Sequence, residues 1–399
     1  MPGISERARI MPPSPIRKLV PFAEAAKSRG VKVYHLNIGQ PDIPTPKVMM
    51  DAFRNHDITV LEYGHSAGLW EYREGLAKYY QKNGINVSKD EVLVTTAGSE
   101  AIIFVMLACM DPGDEILIPE PFYTNYLGFA VEAGVRVVPL TCSAENGFKL
   151  PGASEIEQKI TRRTKAIMIC NPNNPTGYVY SKAEMETLRD IAINNDLYLI
   201  GDEVYREFVY DGKQHHSVMH LKDMDERAII VDSISKRYSA CGARVGCIVT
   251  KNKAILDTAL RFGQARLCPP TLEQIAATAA LDTPQSYFDE VMGEYLARRE
   301  AVFEGLAKIP GAFAHKPSGA FYTVVKLPVD DADNFCKWLL SDFHDNKETV
   351  MMAPAAGFYA TPGLGTDEVR IAFVLNAPAM RRSMEILAKA LAVYPGRTQ

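Results

Sequence analysis

The sequence predicts an α/β protein: a large domain built on a mostly parallel seven-stranded sheet, followed by a smaller α+β domain. Three observations carry this expectation. Between residues 90 and 250, short runs rich in β-branched residues alternate with amphipathic stretches, which is the pattern of βαβ units packed on both faces of one sheet. After about residue 285 the alternation gives way to a long helical pattern and well-separated strands. The chain of 399 residues is also too long for one ordinary core, and its 47% hydrophobic and 23% charged residues suit a globular fold rather than a disordered chain.

Taken in order, residues 1–45 are broken by prolines and read as an arm that joins the second domain. The large domain is expected over 46–284, with strands at Val92–Thr96, Glu115–Pro119, Val135–Leu140, Ala166–Cys170, Leu197–Gly201, Ile229–Ser233 and Val245–Thr250. The small domain, 285–399, opens with a helix over Gln285–Lys308 and a strand over Ala320–Leu327. A charged helix near Asp331–Phe343, a strand at Val369–Val374 and a helix from Pro378 to Val393 complete it.

Charge narrows the function classes. With 44 basic and 48 acidic residues the net charge is −4, so no basic surplus draws the chain to nucleic acid or an anionic membrane. The seven cysteines form no CxxC pair, which removes zinc ribbons and thioredoxin-type sites, and no metal is expected. The opening MPGISERARIMPPSPIRKLV has no apolar core of a secretory signal, and the apolar run Ala101–Met110 is about half a membrane span. A cytoplasmic location is the expectation.

Ligands of open α/β sheets bind beyond the carboxyl ends of the strands, and four turns there are unusual. Thr95-Thr-Ala-Gly98-Ser99-Glu100-Ala101 offers small residues at a helix N-terminus, suited to an anion or simply to an N-cap. It is neither GxGxxG nor a P-loop. Asn171-Pro-Asn-Asn174-Pro-Thr-Gly177 is a turn stiffened by two prolines, either a plain connection or a mount for an amide side chain. In Gly201-Asp202-Glu-Val-Tyr205 a carboxylate closes a buried strand, where it caps a helix or meets a cationic partner such as a protonated heterocycle. Ser233-Ile-Ser235-Lys236, with Arg244 eight residues on, sets a lysine near a cation that would free its lone pair for Schiff-base chemistry; the alternative is a solvated loop lysine. His215, His216 and His220 lack carboxylate or cysteine company and read as a surface loop rather than a metal site.

Taken together, these turns resemble the class I/II aminotransferases, pyridoxal-phosphate enzymes of fold type I, and most of all the bacterial aspartate aminotransferases. The resemblance spans nearly the whole chain and includes Tyr63 with Gly68, the Ala97–Glu100 turn, Asn171–Gly177, Asp202-x-x-Tyr205, Ser233-x-x-Lys236 with Arg244, and Val369-Arg370-Ile371. It implies that pyridoxal 5′-phosphate is the cofactor, held covalently by Lys236. By the same resemblance Asp202 pairs with its ring N–H, and Tyr205 and Asn174 with its ring oxygen. Gly98, Ser99, Glu100, Ser233, Ser235 and Arg244 would surround its phosphate, and Tyr123 would stack on the ring. Tyr63 would reach the phosphate of a neighbouring subunit, which makes the protein a homodimer. Arg370 would clamp the substrate α-carboxylate, closed over by the Gly39 backbone.

The implied reaction is ping-pong transfer of an amino group from an amino acid, aspartate first, to a 2-oxo acid such as 2-oxoglutarate. Alanine, aromatic amino acids, kynurenine or succinyldiaminopimelate as donors, and β-elimination from a cysteine-type substrate, remain alternatives. A ligand-sensing module would be expected to carry a basic DNA-binding extension, and none is seen. Arg266, before Pro269-Pro270, either reads a distal substrate carboxylate or closes a helix at the surface.

Overall fold

The computed structural model describes residues 2–398. Seven strands form the central sheet: β2 Val92–Thr95, β3 Glu115–Glu120, β4 Arg136–Thr141, β5 Thr164–Cys170, β6 Tyr198–Asp202, β7 Ala228–Ser233 and β8 Gly246–Val249. Their order is β2-β8-β7-β6-β5-β3-β4, and all neighbours run parallel except β8, which is antiparallel to both β2 and β7. Each expected strand is present within a residue or two. Continuous apolar runs such as Ile229–Val231 are buried on both faces, as a sheet covered by helices on each side requires.

The remaining strands are β1 Lys32–His35, β9 Tyr322–Lys326, β10 Glu348–Met351, β11 Ala353–Pro354 and β12 Glu368–Ala372. A three-stranded sheet orders β11-β12-β9, with Arg370 opposite Val324. The N-terminal strand β1 pairs in parallel with β10, Lys32 against Glu348 through His35 against Met351. The long helix Gln285–Leu306 packs against the last helix, Ala377–Val393, and carries Arg298 and Arg299 inward.

The polar ends of β6 and β7 are tied down from behind. Asp232 accepts from Arg237 Nη2 at 2.5 Å and from Tyr80 Oη at 2.9 Å, while Arg237 Nε donates to Glu207 at 2.6 Å. Glu203 accepts from Arg206, from Ser217 Oγ at 2.8 Å and from Val218 N at 3.0 Å. These buried charges are paired and hydrogen-bonded, the condition for tolerating them in a core. His215 belongs here rather than on a surface loop. Its imidazole is buried 3.6 Å from Glu203, and burial pushes its pKa down to about 4. His220 instead faces the Asn83 carbonyl at 2.9 Å. No group of three His, Cys, Asp or Glu suited to a metal occurs among the described residues, and no described helix is long and apolar enough to cross a membrane.

Candidate active site

A cavity of about 460 Å³ opens beyond the carboxyl ends of β5, β6 and β7, between the central sheet and the three-stranded sheet. Four turns singled out from the sequence meet in it, although they lie far apart in the chain.

One end is built for an anion. The first turn of the helix Ala97–Cys109 presents Gly98 and Ser99, whose amides have no partner inside the helix. Ser233 and Ser235 share a hydroxyl contact of 2.8 Å, and Ser233 Oγ also donates to the Val245 carbonyl at 2.9 Å. Arg244 enters β8 with a left-handed backbone (φ 54°), a conformation L-residues rarely hold without a reason, and its side chain lines the cavity. Gly246 lets this end close up. A Cβ there would fall 2.5 Å from Ala97 C and 2.7 Å from Gly98 N. The Glu100 carboxylate does not join the lining: it accepts from Thr96 N at 2.7 Å and from Arg266.

The middle holds Asp202 and Lys236. Asp202 ends β6 only 5% exposed, accepts from Tyr126 Oη at 2.6 Å, and burial pushes its carboxyl up to about 6. Among the described residues it has no cationic partner within ion-pair distance, so the site leaves a buried carboxylate wanting a positive donor. Lys236, on the short helix Ile234–Arg237, donates to the Gly39 carbonyl at 2.8 Å and lies 3.5 Å from Cys241 Sγ. Tyr123 lines the same space, its hydroxyl accepting from Asn125 at 2.8 Å, and burial raises its phenol to about 12.

The far wall carries Arg370. Its guanidinium donates to Asn174 Oδ1 at 3.0 Å and to the Asn37 carbonyl, and lies 4.7 Å from the Tyr322 ring centroid and 4.8 Å from that of Phe358. Its Nε is buried without a partner, and no carboxylate pairs with it among the described residues. Burial lowers its pKa. Asn174 is presented by the expected stiff turn: Asn173 Oδ1 accepts from Thr176 N and Oγ1, and Asn171 bonds the His216 carbonyl and Tyr180 N.

Besides Glu100, two expected residues lie elsewhere. Tyr63 is 81% exposed, beside the exposed Val60 and Leu61, and does not line the cavity of its own chain. Arg266 donates from Nε to Glu100 at 3.2 Å and from Nη2 to the Val94 carbonyl, so it is engaged behind the helix Ala97–Cys109 rather than presented to this cavity. Conversely, the cavity includes residues that sequence reasoning passed over: Arg17 and Ile16 from the arm, Ile38, Cys241, and Tyr322, whose hydroxyl is 2.9 Å from that of Tyr205. Tyr322 follows the compact Ser318-Gly-Ala-Phe run at a strand's start, a usable signal. Arg17, one of two adjacent cations (Arg17-Lys18) after prolines, had none.

The sequence profile described as "Aminotransferase class I and II" matches residues 31–387. Aspartate aminotransferase of Pyrococcus horikoshii is 31% identical over 394 residues, 97% of each chain. Aromatic-amino-acid aminotransferase 2 of Thermococcus litoralis is 30% identical over 395 residues, 98% of each. Among solved structures, Thermus thermophilus aspartate aminotransferase with maleate superimposes with a TM-score of 0.88 at 29% identity, covering 98% of this chain and 100% of that one. Alanine aminotransferase from Pyrococcus furiosus gives 0.87 at 33% identity, covering 97% and 99%.

Proposed function

The chain belongs to the class I and II aminotransferases, and we propose that it moves the amino group of an amino acid, aspartate first, to a 2-oxo acid such as 2-oxoglutarate in two half-reactions. Bound pyridoxal 5′-phosphate supplies an aldehyde for the amine and a ring that accepts the electrons of the broken Cα–H bond. The residues fit that group at both ends. The Asp202 carboxylate, which has no cationic partner among the described residues, suits a ring N–H⁺, and the Gly98–Ser99 amides with Ser233, Ser235 and Arg244 suit a phosphate.

In this reading residues 46–284 hold the cofactor, while the arm and 285–399 close on substrate. Lys236 holds the cofactor by its amine. With its amine free, Lys236 would be the base that takes the proton from the substrate Cα and later gives it back, and the Gly39 carbonyl holds its Nζ at 2.8 Å. Asp202 keeps the ring nitrogen protonated. Tyr205 and Asn174 would hold the ring oxygen, and Tyr123 would cover the ring. Arg370 binds the α-carboxylate through N–H groups beyond the two already used, and Gly39 excludes water above it. Tyr63 completes the phosphate site of a second copy in a homodimer. For a substrate's side-chain carboxylate we assign Arg17, which lines the cavity mouth without a carboxylate partner among the described residues, in place of the Glu100-bound Arg266.

The observation that carries this reading is Arg370, a buried cation that shares the cavity with Lys236 and has no counter-charge among the described residues. Each amino acid is offered in turn to the loaded enzyme, and conversion of the cofactor to its amine form is followed by absorbance. Borohydride reduction and peptide mapping should place the label on Lys236. Label on another lysine, or pyruvate and ammonia from a cysteine-type substrate without amine-form cofactor, overturns the proposal.

A further inference from the structure

Tyr322 opens β9, 2% exposed, and touches several working parts of the cavity at once. Its hydroxyl is 2.9 Å from that of Tyr205 and 3.5 Å from the Gly39 carbonyl, the same oxygen that receives Lys236 Nζ. Its ring lies beneath the Arg370 guanidinium. Among the described residues, Tyr205 has no hydrogen-bond partner for its hydroxyl other than Tyr322, its ring being packed edge-on against Phe321 and Tyr322.

A phenol carries one proton and two lone pairs. Within the Tyr205–Tyr322 pair only one hydroxyl can donate to the other. If Tyr205 spends its proton on the cofactor's ring oxygen, Tyr322 has to be the donor within the pair, and its proton is then withdrawn from Gly39. That leaves the Gly39 carbonyl to Lys236. Donation into an oxygen whose own proton is engaged also strengthens that second hydrogen bond, as in any buried chain of donors.

We propose that Tyr322 is a positioning residue that fixes the direction of the Tyr205 hydrogen bond, so that Tyr205 donates to the cofactor and stabilises the charged ring oxygen. The proposal rests on the reading of Tyr205 and Lys236 given above. The same side chain supports the carboxylate clamp through its ring face, and the two duties are separable. Tyr322→Phe keeps the ring under Arg370 and deletes only the hydroxyl; Tyr322→Leu deletes both.

The experiment follows the bound cofactor's visible absorbance in the loaded enzyme as a function of pH, together with KM for the amino acid. The groups facing the two hydroxyls are Asp202, Lys236 and Arg370, with Cys170, Tyr123 and Tyr295 further out, and none of them is altered. In Tyr322→Phe the midpoint should rise by roughly 0.3–0.7 pH units, the worth of part of one hydrogen bond, with KM within about twofold. Tyr322→Leu should show the same rise and a KM higher by roughly tenfold, the worth of one cation–π contact. In a Tyr205→Phe background the effect of Tyr322→Phe on the midpoint should vanish. If Tyr205→Phe moves the midpoint and Tyr322→Phe does not, the role of Tyr322 is overturned while that of Tyr205 stands. If neither moves it, the reading of Tyr205 falls as well.

Discussion

Replacing Arg370 by methionine should separate stability from activity. The guanidinium is 2% exposed and is held by two neutral oxygens and two aromatic faces, without a carboxylate. Burying such an ion costs several kcal/mol. Charged hydrogen bonds return roughly 1.5–3 kcal/mol each, and desolvated ring faces about 2 kcal/mol or less. Methionine gives up both sides of that balance while filling similar space, so the folding free energy should move by less than about 2 kcal/mol. The substrate's carboxylate, by contrast, loses its only proposed bidentate partner. Breaking a buried charge pair costs roughly 3–5 kcal/mol, which is about 10²–10⁴-fold in kcat/KM. Cofactor content should be unchanged, because the proposed phosphate end is built from Ser233, Ser235 and Arg244 instead. The assays are thermal unfolding, cofactor stoichiometry and steady-state kinetics on the same preparation. A kcat/KM within tenfold of the parent at full cofactor content would refute the clamp, and a stability loss above about 4 kcal/mol would make Arg370 a structural residue.

Three further outcomes are expected. The Asp202 carboxyl titrates near 3.8 when unfolded and about 6 when folded, so in cofactor-free enzyme its protonation stabilises the fold fully below the lower value and not at all above the higher; this contribution, roughly 2–3 kcal/mol, should be missing from the pH–stability curve of Asp202→Asn. His215 acts in the opposite sense, costing stability as pH falls from 6.5 through about 4, but it is common to both proteins and cancels, so a flat difference curve between pH 4 and 6 sinks the assignment. Tyr63→Phe should weaken cofactor retention roughly 10–100-fold while leaving the dimer intact in sedimentation, and dilution to monomers should weaken it in the parent; retention that ignores both changes removes Tyr63 from the site. Arg17→Ala should lower kcat/KM for aspartate roughly 5–50-fold and leave alanine untouched, whereas equal loss on both substrates would assign Arg17 to the fold of the arm.

What could be read beforehand follows from where the information sits. Strands such as Ile229–Ser233 and Ala166–Cys170 declare themselves because both faces are buried, so each carries an unbroken apolar run, Ile229–Val231 and Ala166–Cys170, with the turn close behind. The site turns were legible for the same reason: their odd composition is local. By contrast, β1 is four residues, Lys-Val-Tyr-His, half polar, with its partner strand in the distant C-terminal part. Nothing near it in sequence marks it as a strand. His215 looked exposed because its burial depends on Glu203 and Arg206, whose charges are satisfied by each other and by Ser217. Arg266 looked available because Glu100, 166 positions away, is its partner only in three dimensions.

The pairing of β1 with β10 also orders events during synthesis. Lys32 and Glu348 are 316 positions apart, and closing a loop of that length costs about 5 kcal/mol of chain entropy. Four paired residues cannot carry that alone, so the arm docks only after the C-terminal part has folded against it. The turn at Gly98 and the Ser233–Arg244 segment leave the ribosome first, and Arg370 follows 126 residues after Arg244, roughly 6–25 s later at ordinary elongation rates. A nascent chain can therefore bring together the Gly98 and Ser233–Arg244 segments before Arg370, the proposed α-carboxylate clamp, has been made. If Arg370 is the clamp proposed above, substrate recognition is acquired after the anion-binding end, and a chain that stops short of Arg370 would lack it however well its central sheet had formed.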